Sequence, residues 1–396
     1  MTIANKLQEI QADLVNADVD GWLVYDFRRS NPLGCAFLEI PTEKIMSRRF
    51  FYWVPACGTP SKIVHSVDVD SVKEVPGKNL TYSTWQQLEE HIGKVLKGKK
   101  RIMMEYSPRN AIPYVSKVDA GTMEVIREHG VEVLSSADLL QKFTSVWTDE
   151  QLQMHLESAH LLDTTVGIAW DFIRESLNNN KTIKEYDVVE FIHQEFIKNG
   201  HECADLPFCC VNANSAAPHY NLIKETCATI KKGDFILIDL WCKKKAPNAV
   251  YADITRMGVA AEKPTAKQQE VFDIVKKARD AATAFVKQRV ESGKTVMGWE
   301  IDQTSRDVIT AAGYGKYFVH RTGHNIGLND HGDGAHIDNF ETQDQRSILP
   351  GTCFSIEPGI YLPGEFGVRL EYDVYVDHNK TIRVTGGIQN ELVCLF

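Results

Sequence analysis

One stretch, Gly233 to Arg256 (GDFILIDLWCKKKAPNAVYADITR), sets an aspartate into each of two otherwise strand-forming runs. Strand side chains alternate, so Phe235, Leu237 and Asp239 share one face of the first run, and Tyr251, Asp253 and Thr255 share one face of the second. Ala246-Pro247-Asn248 supplies turn chemistry between them, which predicts an antiparallel hairpin with Asp239 opposite Asp253. Carboxylates facing each other across a strand pair repel. Such a hairpin needs water or a cation to neutralise them. For a lone pair of acids, solvent at a loop edge would suffice, so the rest of the sequence has to decide.

A chain of 396 residues accommodates two domains and a large core, and 43% hydrophobic with 24% charged residues is the composition of a soluble globular protein. Its net charge of −9 gives no reason to expect nucleic acid or an anionic membrane surface as a partner. No apolar run approaches the roughly 20 residues that span a bilayer. The N-terminal MTIANKLQEIQADLV is amphipathic and lacks the apolar core of a secretory signal. Nine cysteines, an odd number without a C-x-x-C, read as reduced thiols, so the expected location is cytoplasmic.

Residues 1–145 alternate helical and strand patterns. Helices are predicted over 3–15, 84–96 and 118–128, and strands over 22–25, 49–54 and 101–106, which together describe a compact α/β domain. No catalytic constellation falls in it, and a capping or assembly role is expected. Residues 146–396 open on a capping box at Thr148-Asp-Glu-Gln151, followed by others at Thr182-Ile-Lys-Glu185 and Thr265-Ala-Lys-Gln268. Each precedes a long segment of helical apolar spacing, and a fourth helix is predicted over 299–312. The later residues turn to strands and Gly-rich loops. This order predicts an α+β domain with helices on one face of a mostly antiparallel sheet.

Chemistry-bearing residues cluster in four further places: His320 to His331 (HRTGHNIGLNDH), Ser355 to Tyr361 (SIEPGIY), Arg369 to Asp373 (RLEYD) and Ala217 to Tyr220 (APHY). Alternation predicts one strand through the third of these, with Val368, Leu370, Tyr372 and Val374 toward the core and Arg369, Glu371 and Asp373 opposite. His336 and Asp333 read as loop residues. Two Asp, two Glu and one His at strand ends suit two hard or borderline divalent cations with bridging carboxylates. Mn²⁺ fits best, with Co²⁺, Zn²⁺ or Fe²⁺ as alternatives. Two such ions can share a hydroxide nucleophile and stabilise the oxyanion it creates.

These motifs resemble the pita-bread metallohydrolases: aminopeptidase P, prolidase, methionine aminopeptidase and creatinase. The resemblance rests on PHY at 218–220, KKGDFILIDL at 231–240, ADITR at 252–256, GHNIGL at 323–328, SIEPGIY at 355–361 and GVRLE at 367–371. It covers 150–396 strongly and 1–145 weakly, as the creatinase/prolidase-type N-terminal domain. It implies a curved pita-bread sheet and two divalent metal ions held by Asp239, Asp253, His324, Glu357 and Glu371. Asp253 and Glu371 would bridge both ions, and Glu357 would also shuttle the proton of the hydroxide. His219 and His331 would bind the scissile amide and support the tetrahedral intermediate, His320 would line the proline subsite, and Arg369 would contact substrate or a ligand. The activity it implies is hydrolysis of Xaa-Pro bonds in di- or oligopeptides, by a homodimer.

The chain also departs from the family pattern. Its two aspartates lie fourteen positions apart, three more than the family's usual spacing, within CKKKAPNAV. Trp241 stands where the family prefers Gly, and Gly332 where its peptidases carry Glu or Asp. A non-peptide substrate on the same metals, in a C–N hydrolase or lyase, is therefore the second reading. A metal-free binding module is the third, and the full set of five ligands argues against it.

Overall fold

The computed structural model describes residues 3–218 and 220–396, and its chain divides into two compact units, Met1–Thr144 and Ser145–Phe396. The first unit is built on a mixed six-stranded sheet. Its order is Lys78–Tyr82, Ser61–His65, Phe50–Pro55, Gly21–Asp26, Arg101–Met104 and Glu132–Ser135. The predicted helices form as Ile3–Asn16, Trp85–Leu96 and Ala120–Glu128. Thr84 caps the second of them through a capping box with Gln87. Strands Ser61–His65, Lys78–Tyr82 and Glu132–Ser135 escape the sequence pattern because they are short and lie toward the sheet edges, where alternation carries little signal.

One acid is fully buried in this unit. The Glu105 carboxylate accepts from Trp22 Nε1 at 2.6 Å, Asn31 Nδ2 at 2.7 Å, Ser136 Oγ at 3.0 Å and the Tyr25 amide at 3.4 Å. It thereby ties both central strands to the segments that flank them. Burial pushes its carboxyl up to about 7, against four donors that favour the anion.

In the second unit, Phe235–Lys244 pairs antiparallel with Ala252–Val259 on one side and Phe208–Val211 on the other. The even-numbered face of this hairpin (Ile236, Ile238, Leu240, Ile254) packs against helices Asp149–Asn178 and Glu185–Lys198 through Leu162, Ile173, Val189 and Phe196. Fully burying such a side chain stabilises by about 1.5–3 kcal/mol, so this layer fixes which face of the hairpin is free for chemistry. A second antiparallel sheet runs Asn325–Ile326, Cys353–Ile356, Tyr372–Val376 and Ile382–Thr385, and Gly359–Leu362 pairs with Phe366–Arg369. Apart from the parallel strand Val393–Cys394 beside Ala252–Val259, the pairing here is antiparallel. All nine cysteines are free, and no helix among the described residues is long and apolar enough to cross a membrane.

Three expectations are corrected. Asp239 pairs with Thr255 and Asp253 with Trp241, because the turn is centred on Pro247 and not one residue earlier; the aspartates are diagonal neighbours on one face. The run 366–376 is broken: Phe366–Arg369 and Tyr372–Val376 belong to different sheets, with Leu370 and Glu371 at the crossing. The box at Thr182 does not form. Helix Glu185–Lys198 begins at Glu185, whose buried carboxylate takes the Val211 and Ala228 amides, Asn214 Nδ2 and the Tyr220 hydroxyl. The boxes at Thr148 and Thr265 are present.

The folded-state carboxyl of Glu105 lies above its ordinary value of 4.5, so its contribution to stability is full below that pH and is lost as pH rises through about 7. Relative to Glu105→Gln, which cannot titrate, the wild type should lose on the order of 3 kcal/mol over this window. Melting curves of both proteins between pH 4 and 8 measure it, and curves that stay parallel would refute it.

Candidate metal centre

The odd-numbered face of the hairpin changes character along its length. Phe235, Leu237, Met257 and Val259 pack with Phe366, Val368 and Leu370 in an apolar cluster, and beyond them the same face carries Asp239, Asp253 and Thr255. Trp241 closes the far end. It is buried beside Phe208 at 5.3 Å between ring centroids, in a cluster with Trp147, Val250, Tyr251 and Ile326. The two aspartates therefore sit between two apolar walls, 7% and 4% exposed.

Glu371, 2% exposed, is brought to this face by the crossing segment, whose carbonyl accepts from Arg256 Nη1 at 2.6 Å. The Thr255 hydroxyl stands between Glu371 Oε2, at 2.5 Å, and Asp239 Oδ1, at 3.1 Å. Arg369 donates to Asp239 Oδ2, to Thr255 Oγ1 at 3.1 Å and to the Tyr361 hydroxyl at 3.0 Å, and its Nε lies 3.9 Å from Glu357 Oε2. His324 enters from the second sheet, with Nε2 at 3.4 Å from Glu357 Oε1 and 3.8 Å from Asp253 Oδ2. Asp253, His324 and Glu371 offer ligand atoms all within 4.8 Å of one another.

Two features test whether these residues fit a divalent cation. Asp253 Oδ1 and Glu371 Oε1 are buried with no hydrogen-bond partner. Orphaned carboxylate oxygens cost several kcal/mol unless a cation or proton satisfies them. Burial, together with neighbouring carboxylates, raises both carboxyls well above their ordinary values. His324 supplies the second test. Its Nδ1 faces the Asn325 carbonyl at 3.2 Å and so carries the proton, leaving a bare Nε2 lone pair aimed at two carboxylates. Burial, with His331 and Arg321 nearby, disfavours a second proton on it. Lone pair against an ionised carboxylate is repulsive, and a proton or a metal ion between them removes the repulsion, the metal ion by ligation.

The histidines divide by what their nitrogens touch. His331 is 59% exposed at its side chain and lies 4.1 Å from the His324 ring. Its Nδ1 accepts from Arg321 Nη2 at 3.3 Å, so in the neutral ring Nε2 is a donor. His320 has both nitrogens engaged, Nδ1 with the Arg321 carbonyl at 2.6 Å and Nε2 with the Tyr361 hydroxyl at 2.7 Å. Burial, then Arg369, pushes it down to about 3. It orients Tyr361 and through it Arg369. His219 lies outside the described residues.

Sequence reasoning missed Thr255 and Tyr361 as organising groups, although both stand inside the quoted motifs. It also missed Asp373, whose Oδ2 accepts the Asp253 amide at 2.9 Å, and His336, a buried acceptor for the Asn325 amide at 3.1 Å. Gly332 has a packing reason: a Cβ there would meet Asn325 Oδ1 at 2.4 Å. The lengthened hairpin end also has contacts of its own, the Tyr251 amide donating to Gly327 O at 3.0 Å and Lys243 Nζ to Leu328 O at 2.8 Å.

The sequence profile of metallopeptidase family M24 matches residues 155–378. The chain is 36% identical over 227 residues to the Xaa-Pro dipeptidase of Lactobacillus helveticus, an alignment covering 57% of this chain and 55% of that protein. The dipeptidase PepE of Mycobacterium ulcerans superposes with a TM-score of 0.69 at 21% identity, covering 99% of this chain and 98% of that one. The X-prolyl aminopeptidase of Caenorhabditis elegans, described as a cytosolic enzyme with a di-nuclear active site, superposes with a TM-score of 0.65 at 15% identity, covering 99% of this chain and 63% of that one. At these identities the two solved structures speak to fold alone.

Because the Asp253 and Glu371 carboxyls are raised in the folded state, the metal-free protein should be most stable in mild acid and lose stability as pH rises above about 4.5. Added Mn²⁺ should then raise the melting temperature more at pH 8 than at pH 5, because it replaces protons. Chelator-stripped protein melted with and without Mn²⁺ at both values tests this, and a larger shift at pH 5 would overturn it.

Proposed function

The chain belongs to metallopeptidase family M24, and on that footing we propose that it is a dinuclear metal-dependent hydrolase of Xaa-Pro peptide bonds. The observation that carries the metal reading is the buried trio Asp253, His324 and Glu371, whose ligand atoms lie within 4.8 Å of one another and whose two acids each keep a partnerless buried oxygen. The proposed ligands are Asp239, Asp253, His324, Glu357 and Glu371. Two divalent ions held there, Mn²⁺ by preference, would lower the pKa of a water molecule and polarise the scissile carbonyl.

The chain's own residues supply the rest. Glu357, next to both His324 and Arg369, takes the proton of the attacking water and delivers it to the departing amine. His331, with Nε2–H exposed beside the centre, donates to the oxygen on which negative charge develops. His219 would make the companion contact. Arg369 holds the Asp239 carboxylate in place, and is itself held by Tyr361 and His320.

The Xaa-Pro substrate is supported by the Lactobacillus relative and by the motif set of the sequence. The non-peptide reading loses ground because Gly332 and Trp241, two of the departures that prompted it, have packing roles. A cytoplasmic homodimer, with residues 1–145 as the capping and dimerising domain, completes the proposal.

Mn²⁺-loaded protein is expected to cleave Ala-Pro or Ala-Pro-Ala but not Ala-Leu, and to stop on chelation. Two bound ions with no peptide turned over would favour the non-peptide hydrolase or lyase. His331→Ala should cut kcat by roughly 10²–10³ while leaving metal content at the wild-type level. Loss of metal from that variant would make His331 a ligand and overturn the division of roles.

A further inference from the structure

Asp330 belongs to none of the ligand positions above, yet its carboxylate is turned toward them. Its Oδ1 is buried with no hydrogen-bond partner among the described residues. The carboxylate lies within hydrogen-bonding reach of the Asp253 carboxylate, and its ligand atom is within 4.8 Å of those of both His324 and His331. Two facing carboxylates need a proton or a cation between them. Ligand atoms of one Mn²⁺-sized ion lie up to about 4.2 Å apart, twice a bond of about 2.1 Å, so small side-chain rotations close this group on an ion.

The loop that carries Asp330, whose side chain is 25% exposed, is held by hydrogen bonds on both sides. Gly332 N donates to Asn325 O at 2.7 Å and Gly327 N to Asn329 O at 3.1 Å. The lengthened hairpin end pins the same loop through the Tyr251 amide on Gly327 O and Lys243 on Leu328 O. Asn325 Nδ2 anchors its base to Cys353 O at 2.9 Å. Of the two side chains near His324 on this loop, His331 has its Nδ1 occupied by Arg321 and its Nε2 3.8 Å from Asp330 Oδ2, whereas Asp330 Oδ1 has no hydrogen-bond partner among the described residues.

We infer that Asp330 is a sixth protein ligand, binding the ion that His324 holds. This inference rests on the dinuclear reading above. The five proposed ligands bring four carboxylates against two dications, which balance. Asp330 adds a fifth and leaves the centre with one net negative charge before any water ionises. The consequence is asymmetric retention: the ion on the His324 side is held more tightly than five ligands alone would hold it. Hard oxygen-preferring ions gain most from the extra carboxylate.

The test titrates Mn²⁺ into chelator-stripped full-length protein by calorimetry, for wild type, Asp330→Asn, Asp330→Ala and Asp205→Asn. Asp205 contributes charge near Asp330 but is not placed among the ligands, so its variant controls for charge alone. Both Asp330 variants should weaken one of two Mn²⁺ sites at least tenfold and leave the other within about twofold, with Asp205→Asn like wild type. Two wild-type sites unchanged in both Asp330 variants would overturn the inference while leaving the dinuclear reading intact. An Asp205→Asn loss as large as that of Asp330→Asn would also overturn it, by showing long-range charge in place of ligation. Failure of the wild type to bind Mn²⁺ would overturn the dinuclear reading and this inference together.

Discussion

The second unit is organised around a repulsion. Asp239, Asp253 and Glu371 are nearly buried within one small volume, with Glu357 and Asp330 at its edge. Taking one carboxylate out of water costs several kcal/mol, and its neighbours add to that cost. The guanidinium of Arg369 reaches two of these acids, bonding Asp239 and standing 3.9 Å from Glu357. Among the described residues, Asp253 and Glu371 have no Lys or Arg ion pair. Such an arrangement is repaid by protons or by a bound cation, and the Nε2 lone pair of His324 is available to either.

The surrounding structure holds the acids where they would not choose to stay. The apolar layer of Ile236, Ile238, Leu240 and Ile254 against two helices decides the strand's facing, so neither aspartate can rotate to solvent without exposing that layer. Asp373 takes the Asp253 amide, Thr255 spans Asp239 and Glu371, and Arg256 grips the Glu371 carbonyl. Each contact is worth little alone. Together they remove the side-chain and backbone freedom by which the charges could separate.

The first unit settles its own buried acid differently. Glu105 is surrounded by four donors and no carboxylate or cation within hydrogen-bond distance among the described residues, so dipoles offset part of the cost of burying it. That pattern serves to join strands and needs no ion. Glu105 and Asp253 are both buried, and they differ in that Glu105 has four donors whereas Asp253 Oδ1 has no hydrogen-bond partner.

Much of the centre was legible from local chemistry. Alternation placed Asp239 with Leu237 and Asp253 with Thr255, because a strand's period of two is a property of the backbone. The capping boxes at Thr148 and Thr265 were equally local, since cap and partner lie three residues apart. What escaped was whatever depends on contacts between distant segments. The one-residue shift of the turn centre to Pro247 moved the cross-strand partner of Asp239 to Thr255. The break at 370–371 depends on which sheet each half joins, and the use of Glu185 depends on a loop more than twenty residues away. Asp330 was one acid among many until the fold set its ligand atom within 4.8 Å of those of His324 and His331. The sequence by itself determined the residue types and their faces. Only tertiary structure decided which faces meet, because burial and the pairing of buried polar atoms are settled by the whole chain at once.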